Sequence, residues 1–150
     1  MLKQMKKNKS SKYNTIPIIV NNFNDGKILT INVKINNRKC NLLLDSGSSI
    51  SVIDLRKLDK FTSIKPKKSQ NMSSINKDID TFDINISKFE IGDLIIENRR
   101  FYIMDLINLN NTLSTNYINV IDGIIGNDLL FKLNSIINLN KETLKIKKPD

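Results

Sequence analysis

Leu42-Leu43-Leu44-Asp45-Ser46-Gly47-Ser48-Ser49 runs three leucines straight into a polar turn that carries one carboxylate. A short apolar run bounded by a Ser/Gly turn reads as a buried strand, and Asp45 stands where that strand ends. Downstream, Asp122-Gly123-Ile124-Ile125-Gly126-Asn127-Asp128-Leu129-Leu130 supplies a second pattern. Two glycines bracket two β-branched residues, and a helix start follows them.

A carboxylate placed after three leucines sits at the edge of a low-dielectric core, where desolvation disfavours its charged form. Gly47 offers the turn backbone freedom and close approach to a partner. The Ser48 hydroxyl is placed to donate a hydrogen bond back to the carboxylate. Opposed influences of this kind point to a tuned acid rather than a solvated one.

Composition narrows the chemistry further. The chain has 150 residues, no histidine and one cysteine, Cys40. This excludes Ser-His-Asp and Cys-His catalysis, zinc sites built on imidazole, and a thiolate metal cluster. What remains for hydrolysis is carboxylate chemistry, lysine chemistry or an oxygen-ligated metal; no cofactor and no metal are expected. A single cysteine also forms no internal disulfide and suits a reducing compartment. No apolar run approaches the roughly 20 residues of a membrane helix. Thr15–Val20 is too short and proline-broken for a signal sequence, and the expected location is cytoplasmic. The length fits one domain.

The net charge is +9. Lysines at 3, 6, 7, 9 and 12 mark residues 1–14 as a polar, disordered basic arm ahead of a domain over 15–150. A second basic stretch runs from Arg56 to Lys68. Aromatic residues for base stacking are not interleaved with it, so a nucleic-acid partner is not expected. Solvation is the simpler reading of both stretches.

Strand patterns recur at short intervals: Ile16–Val20, Ile28–Ile35, Lys39–Leu44, Ser51–Ile53, Phe82–Ile86, Phe89–Ile91, Leu94–Ile96 and Arg100–Met104. Asp25-Gly26, Asn36-Asn37-Arg38 and Gly92-Asp93 mark turns between them. Two short helices are expected: Asp54–Phe61 with Asp54 as cap, and Asn127–Leu133 capped by Asn127 or Asp128. Asparagine-rich Leu106–Asn119 has no clear period and reads as a loop. Ser135–Asn138 and Thr143–Ile146 form a last hairpin. Many short strands with one or two short helices give an all-β, barrel-like fold.

In this order, Asp45-Ser46-Gly47-Ser48 and Ile124-Ile125-Gly126 resemble the two signature elements of the retropepsin-like aspartic protease family. The resemblance implies a closed-barrel acid protease fold, Asp45 as catalytic aspartate, and Ser46 crossing to a partner chain at the base of the site. It implies Ile124, Ile125 and Gly126 as an apolar element packed beneath the active-site turn. It places a flap within Met72–Thr81, with Asn76, Lys77 and Asp78 at its tip. It also implies a homodimer acting on an extended peptide or protein. Where retroviral members often carry arginine after the second element, this chain has Asn127. The flap contains no glycine and the N-terminal arm is long, so a cellular or domain-type member fits better than a viral enzyme.

One Asp-Ser-Gly per chain cannot supply both an acid and a base, whereas a twofold dimer can. Three readings follow. The first is an active homodimeric peptidase. The second is a catalytically weak dimeric module of the same fold that binds or senses peptides. The third is a basic β-domain whose Asp-Ser-Gly is only a turn. Asp122 is expected as a surface turn acid, Lys77, Arg99 and Arg100 as solvated charges, and Cys40 as a small packed hydrophobe.

Overall fold

The computed structural model describes residues 11–69 and 81–150. The proposed flap tip, Asn76, Lys77 and Asp78, lies outside the described residues. In place of one strand over Ile16–Val20 there are two, β1 (Tyr13–Pro17) and β2 (Ile19–Phe23). Pro17 has no N–H with which to extend a ladder, so the chain changes sheets there. Ile18 N–H instead donates to Glu142 O at 2.9 Å. β1 begins at Tyr13, inside the stretch read as a basic arm, and buries Asn14.

Asn24, with φ of 51°, turns β2 into β3 (Gly26–Ile35). Asn36 and Asn37, at φ of 46° and 67°, then turn β3 into β4 (Arg38–Leu44). Two consecutive positive φ values form the tight hairpin turn that matches strand twist, and asparagine tolerates them. The short strand β5 (Val52–Asp54) follows the polar turn, then a 3-10 turn (Leu55–Lys57) and α1 (Leu58–Phe61). Asp54 caps this segment as expected, accepting from Arg56 N–H at 3.2 Å.

β6 (Lys67–Lys68) pairs antiparallel with β7 (Phe82–Ile91), and β7 with β8 (Leu94–Met104). The four strand patterns between Phe82 and Met104 are therefore one long hairpin. Its ladder skips Ser87 and Asn98, and Asn98 stands at φ of 51°. That local break explains why the sequence pattern splits each strand in two.

A nine-residue helix, α2 (Ile107–Thr115), occupies most of the stretch read as a loop. Then come β9 (Gly123–Ile125), α3 (Asn127–Lys132), β10 (Ile136–Asn138) and β11 (Thr143–Lys147). α3 is entered through Gly126 in extended conformation, which stands at the cap position in place of Asn127 or Asp128, while Asp128 Oδ1 accepts from Leu129 N–H at 2.8 Å in the first turn.

One sheet has the order β2-β3-β4-β9-β5-β8-β7-β6, and β3 also pairs with β7. The extra pairing closes six strands (β3, β4, β9, β5, β8 and β7) into a barrel. The all-β barrel expectation holds, with more helix than expected. A separate sheet, β1-β11-β10, joins the two ends of the chain.

The barrel core is aliphatic around Phe89 and Phe101, which meet edge to face at 5.4 Å between centroids. Such a pair contributes about 0.5–1.5 kcal/mol beyond its burial. Cys40 is buried in this core, as expected. Burial first, and then the nearby Asp122 carboxylate, push its thiol far above the ordinary 9.0.

α2 and the chain on either side of it cover the outside of the barrel, with Leu113 from the helix and Leu106, Ile118 and Ile121 flanking it, against Phe23, Ile28, Leu43 and Ile124. Its fixing is largely polar. Buried Asn110 donates to Asp54 Oδ2 at 3.2 Å and to Ile121 O at 3.0 Å, and accepts from Ile121 N–H at 2.8 Å. Asp54, 1% exposed, also accepts from Leu106 N–H at 3.2 Å. At the surface, Arg56 grips Asp105 through two hydrogen bonds of 3.0 and 3.1 Å. The guanidinium holds the Asp105 carboxyl below its usual range.

Candidate active site

β4 and β9 lie side by side in parallel, with Leu42, Leu43 and Leu44 opposite Gly123, Ile124 and Ile125. The two sequence motifs are thereby neighbours in space. β9 is also paired with β5 on its other side, so the strand before the Asp-Ser-Gly turn and the strand after it flank the Gly-Ile-Ile element. Asp45 N–H donates to Ile125 O at 3.1 Å, which fixes the first residue of the turn to the second motif.

Within the turn, Gly47 N–H donates to Asp45 Oδ1 at 3.0 Å, and Ser48 N–H to Asp45 O at 3.2 Å. Among the described residues, Gly47 N–H is the one donor to the Asp45 carboxylate. Asp45 is half-buried, and among the described residues no hydrogen-bond donor reaches its Oδ2. Ser46 is exposed, beside Asp45.

Two expectations about this turn need correction. The Ser48 hydroxyl donates to Ile50 O at 2.7 Å, not to Asp45. A carbonyl two residues on lies within its reach and completes a local turn, and the carboxylate is served by backbone instead. Gly47 also has no positive φ. Its missing Cβ matters through closeness, since an added one would stand 3.2 Å from Asp45 Oδ1.

Gly126 is where the second motif meets the turn. A Cβ there would overlap the Ile50 carbonyl and stand 2.8 Å from Ser48 O. Asn127 N–H donates to Ser48 O at 2.8 Å, and Asn127 Nδ2 donates to Ser46 O at 3.3 Å. Asn127, at the position where an arginine was absent, thus ties the helix to the Asp-Ser-Gly turn by its amide.

The charge that anchors α3 comes from elsewhere. Arg99, expected as a solvated residue on β8, donates to Asp128 Oδ2 at 2.7 Å. Asp128 Oδ1 accepts from the Ser51 hydroxyl at 2.6 Å, and Ser51 Oγ accepts from Gly126 N–H at 3.0 Å. A continuous chain of hydrogen bonds therefore runs from β8 through α3 and Ser51 to Gly126. Arg100 is exposed beside the Tyr102 ring, 5.3 Å from its centroid.

Asp122 is not a surface turn acid. It is buried, accepts from Asn41 N–H at 2.9 Å, and pairs with Lys60 at 3.3 Å. Its burial and its partners give it a structural role at the far end of β9. Sequence reading missed Ser51, Arg99, Asp128, Asp54 and Asn110 because their partners are 11 to 77 residues away. The one usable clue was Asp128 in the first turn of a helix that follows a motif.

Beside the turn, Ser46, Asn127, Leu130, Phe131, Asn134, Ser135 and Ile137 line an open groove of about 580 Å³. None of these residues is charged. No group of three or more His, Cys, Asp or Glu side chains among the described residues could hold a metal ion. No helix among them is long and apolar enough to cross a membrane.

A six-stranded barrel with a single Asp-Ser-Gly turn laid against a Gly-Ile-Ile-Gly strand and a short helix defines the retropepsin-like class of fold. Residues 31–129 match the sequence model of a family described as aspartyl protease. The chain belongs to the aspartyl protease family. It is similar in fold to a retropepsin-like aspartic protease from Rickettsia conorii, at 20% identity and a TM-score of 0.56, over 91% of this chain and 95% of that one. The retroviral protease-like domain of Ddi1 from Leishmania major aligns at 17% identity and TM-score 0.56, over 81% and 90%. The EIAV protease, solved with the inhibitor HBY-793, aligns at 22% identity and TM-score 0.53, over 79% and 100%. No curated protein matches the sequence.

Proposed function

We propose that the chain is an aspartic endopeptidase acting as a homodimer, with one Asp45 from each copy at a shared centre. The observation that carries this reading is the state of the Asp45 carboxylate. One oxygen is held by Gly47 N–H, and the other is open beside an exposed Ser46. That is half of a dyad, and a twofold axis through the turn supplies the other half.

In the dyad, two close carboxylates share one proton because they cannot both ionise. The charged one takes a proton from water, which adds to the scissile carbonyl carbon. The protonated one gives its proton to the carbonyl oxygen. Breakdown of the tetrahedral intermediate expels the amine after proton return. Substrate enters as an extended strand, held through backbone hydrogen bonds, with alternate side chains in apolar pockets. A reducing cytoplasmic setting fits the single buried Cys40.

The test is incubation with a mixed peptide library, comparing the native chain with Asp45→Asn. The amide keeps the shape but cannot take up or release the proton, so cleavage should fall by at least about 10³-fold. Retained fold and dimer state in the variant separate lost chemistry from lost structure. Equal cleavage by both proteins would overturn the assignment. A chelator should leave the native rate unchanged; loss with chelator and recovery with magnesium would make Asp45 a metal ligand instead.

A further inference from the structure

We infer that the cleft where β3 and β7 part binds a small phosphomonoester, with Lys34 and Lys39 on the phosphate and Glu90 accepting a hydrogen bond from a hydroxyl of the same ligand. The site is separate from the proposed dyad and does not depend on it. Lys39 stands near the start of β4, and Asp45 follows the end of that strand. The six residues between them span about 20 Å of extended chain.

The register of the barrel leaves this cleft open. β2 pairs with β3 as far as Thr30, and β7 takes up β3 only at Lys34 and Ile35. Between those two ladders, Ile31, Asn32 and Val33 are paired on the β4 side alone. Asn32, Val33, Lys34, Lys39, Glu90 and Gly92 line the resulting cleft, of about 370 Å³. That volume lies at the lower end of small-molecule sites, roughly 300–1,000 Å³. Gly92 brings no side chain to the wall, so a ligand can approach the backbone there.

The charges in the cleft are left unbalanced. Lys34 stands opposite Lys39 on one side and opposite Glu90 on the other. Val33 and Ile35 face the core, so Lys34 lies on the outer face, and Lys39 is exposed there with it. Like charges directly opposite each other destabilise a strand pair. Among the described residues neither lysine has an ion pair. Glu90 does not supply one. Its Oε1 lies 3.4 Å from Lys88 Nζ, which also donates to Asn37 Oδ1 at 3.0 Å. Its Oε2 is buried and has no hydrogen-bond partner among the described residues. A buried acceptor in that state is destabilising until a donor reaches it.

These two demands together narrow the ligand. An anion between Lys34 and Lys39 relieves their repulsion, and lysine is a common partner of phosphate. A bare anion would set its lone pairs against the Glu90 carboxylate, so the ligand must also bring a donor. A phosphomonoester is close to doubly charged at neutral pH, which matches two unpaired lysines. A hydroxylated carbon skeleton supplies the O–H for Glu90. A DNA strand offers one charge per phosphate and no hydroxyl along its backbone, so it meets neither demand.

The test is titration calorimetry of the full chain with glucose 6-phosphate, inorganic phosphate, sulfate and a short single-stranded DNA, all at one ionic strength. Glucose 6-phosphate should bind saturably, and sulfate at least about tenfold more weakly, because sulfate brings charge without a donor. Lys34→Gln and Lys39→Gln should each weaken glucose 6-phosphate by at least about tenfold, as expected for a lost charge-assisted hydrogen bond. Both lysines are exposed, so circular dichroism should stay native. Lys141→Gln removes the same charge from an exposed turn between β10 and β11 and should leave binding unchanged. Glu90→Gln should narrow the gap between glucose 6-phosphate and sulfate, because its amide can donate to either oxyanion. Inorganic phosphate carries its own O–H, and if it binds more tightly than the sugar phosphate, the free ion replaces the monoester and the inference fails. Sulfate bound as tightly as glucose 6-phosphate, equal weakening by Lys141→Gln, or tighter binding of DNA would each overturn the site. Absence of saturable binding by both phosphates would overturn it as well.

Discussion

At the scale of single residues, the structure separates groups that look alike in the sequence. Asp45, Asp54, Asp122 and Asp128 all stand beside turn or helix signals, yet their partners give them different work. Asp45 keeps one oxygen open. Asp54 accepts from Arg56 N–H, Leu106 N–H and Asn110 Nδ2. Replacing Asp54 with alanine strands the buried Leu106 N–H and the Arg56 N–H, and leaves Asn110 Nδ2 with only its bond to Ile121 O. Such groups cost roughly 1–3 kcal/mol each, so Asp54→Ala should lower stability by about 3 kcal/mol or more, read as a shift in the urea midpoint. Cys40 gives a second residue-scale expectation. Burial raises its folded pKa above the ordinary 9.0, so the unfolded chain releases the thiol proton first. The stability associated with this group is present below that ordinary value and is lost as pH rises from it toward the raised folded value. Cys40→Ala should flatten the alkaline fall in stability, and the native thiol should react with a thiol reagent only on unfolding. Rapid labelling of native protein would contradict this burial.

At the scale of elements, β9 is the organising piece. It is three residues long, yet it joins β4 and β5 and receives Asp45 N–H. Gly123 serves the same packing as Gly126, since a Cβ on it would overlap the Val52 carbonyl. The Arg99–Asp128–Ser51 chain ties α3 to β8 and to Gly126 behind the Asp-Ser-Gly turn. Its Arg99 and Asp128 side chains are only 17% and 24% exposed, so losing the carboxylate leaves a poorly solvated guanidinium. Asp128→Ala should cost roughly 2 kcal/mol and lower kcat more than KM, because the turn is displaced while peptide contacts remain. Asp128→Asn, which still accepts from Ser51, should be milder. An alanine variant with native kcat would show that the chain does not position the turn.

At the scale of the whole molecule, the single Asp-Ser-Gly per chain sets two linked behaviours. On the proposed dyad, specific activity should fall on dilution, because two copies would share one centre. The rate should also follow a bell-shaped curve on the acid side, belonging to the carboxylate pair. Below the lower ionisation neither carboxylate is charged, so no base remains. Above the upper one both are charged, so no acid remains. With no histidine in the chain, no imidazole limb is expected. A flat pH profile, or a rate independent of dilution in a strictly monomeric protein, would contradict the shared centre.

The sequence by itself determined the things that are local. Leu42–Ser48 encodes a strand that ends in a polar turn, paired asparagines encode the turn at 36 and 37, and a barrel follows from many short strands. The order of the two motifs was also legible, because it needs only residue types and spacing. What the tertiary structure decided was every partnership made at long range. It set Leu42–Leu44 against Gly123–Ile125, turned Ser48 away from Asp45, buried Asp122, and set Arg99 on Asp128. α2 was invisible for the same reason. Its apolar residues trace no regular stripe, and its anchors are an asparagine and an aspartate more than 50 residues apart. Local propensity is carried by neighbours along the chain, whereas hydrogen-bond partners and burial depend on which strands the barrel brings together.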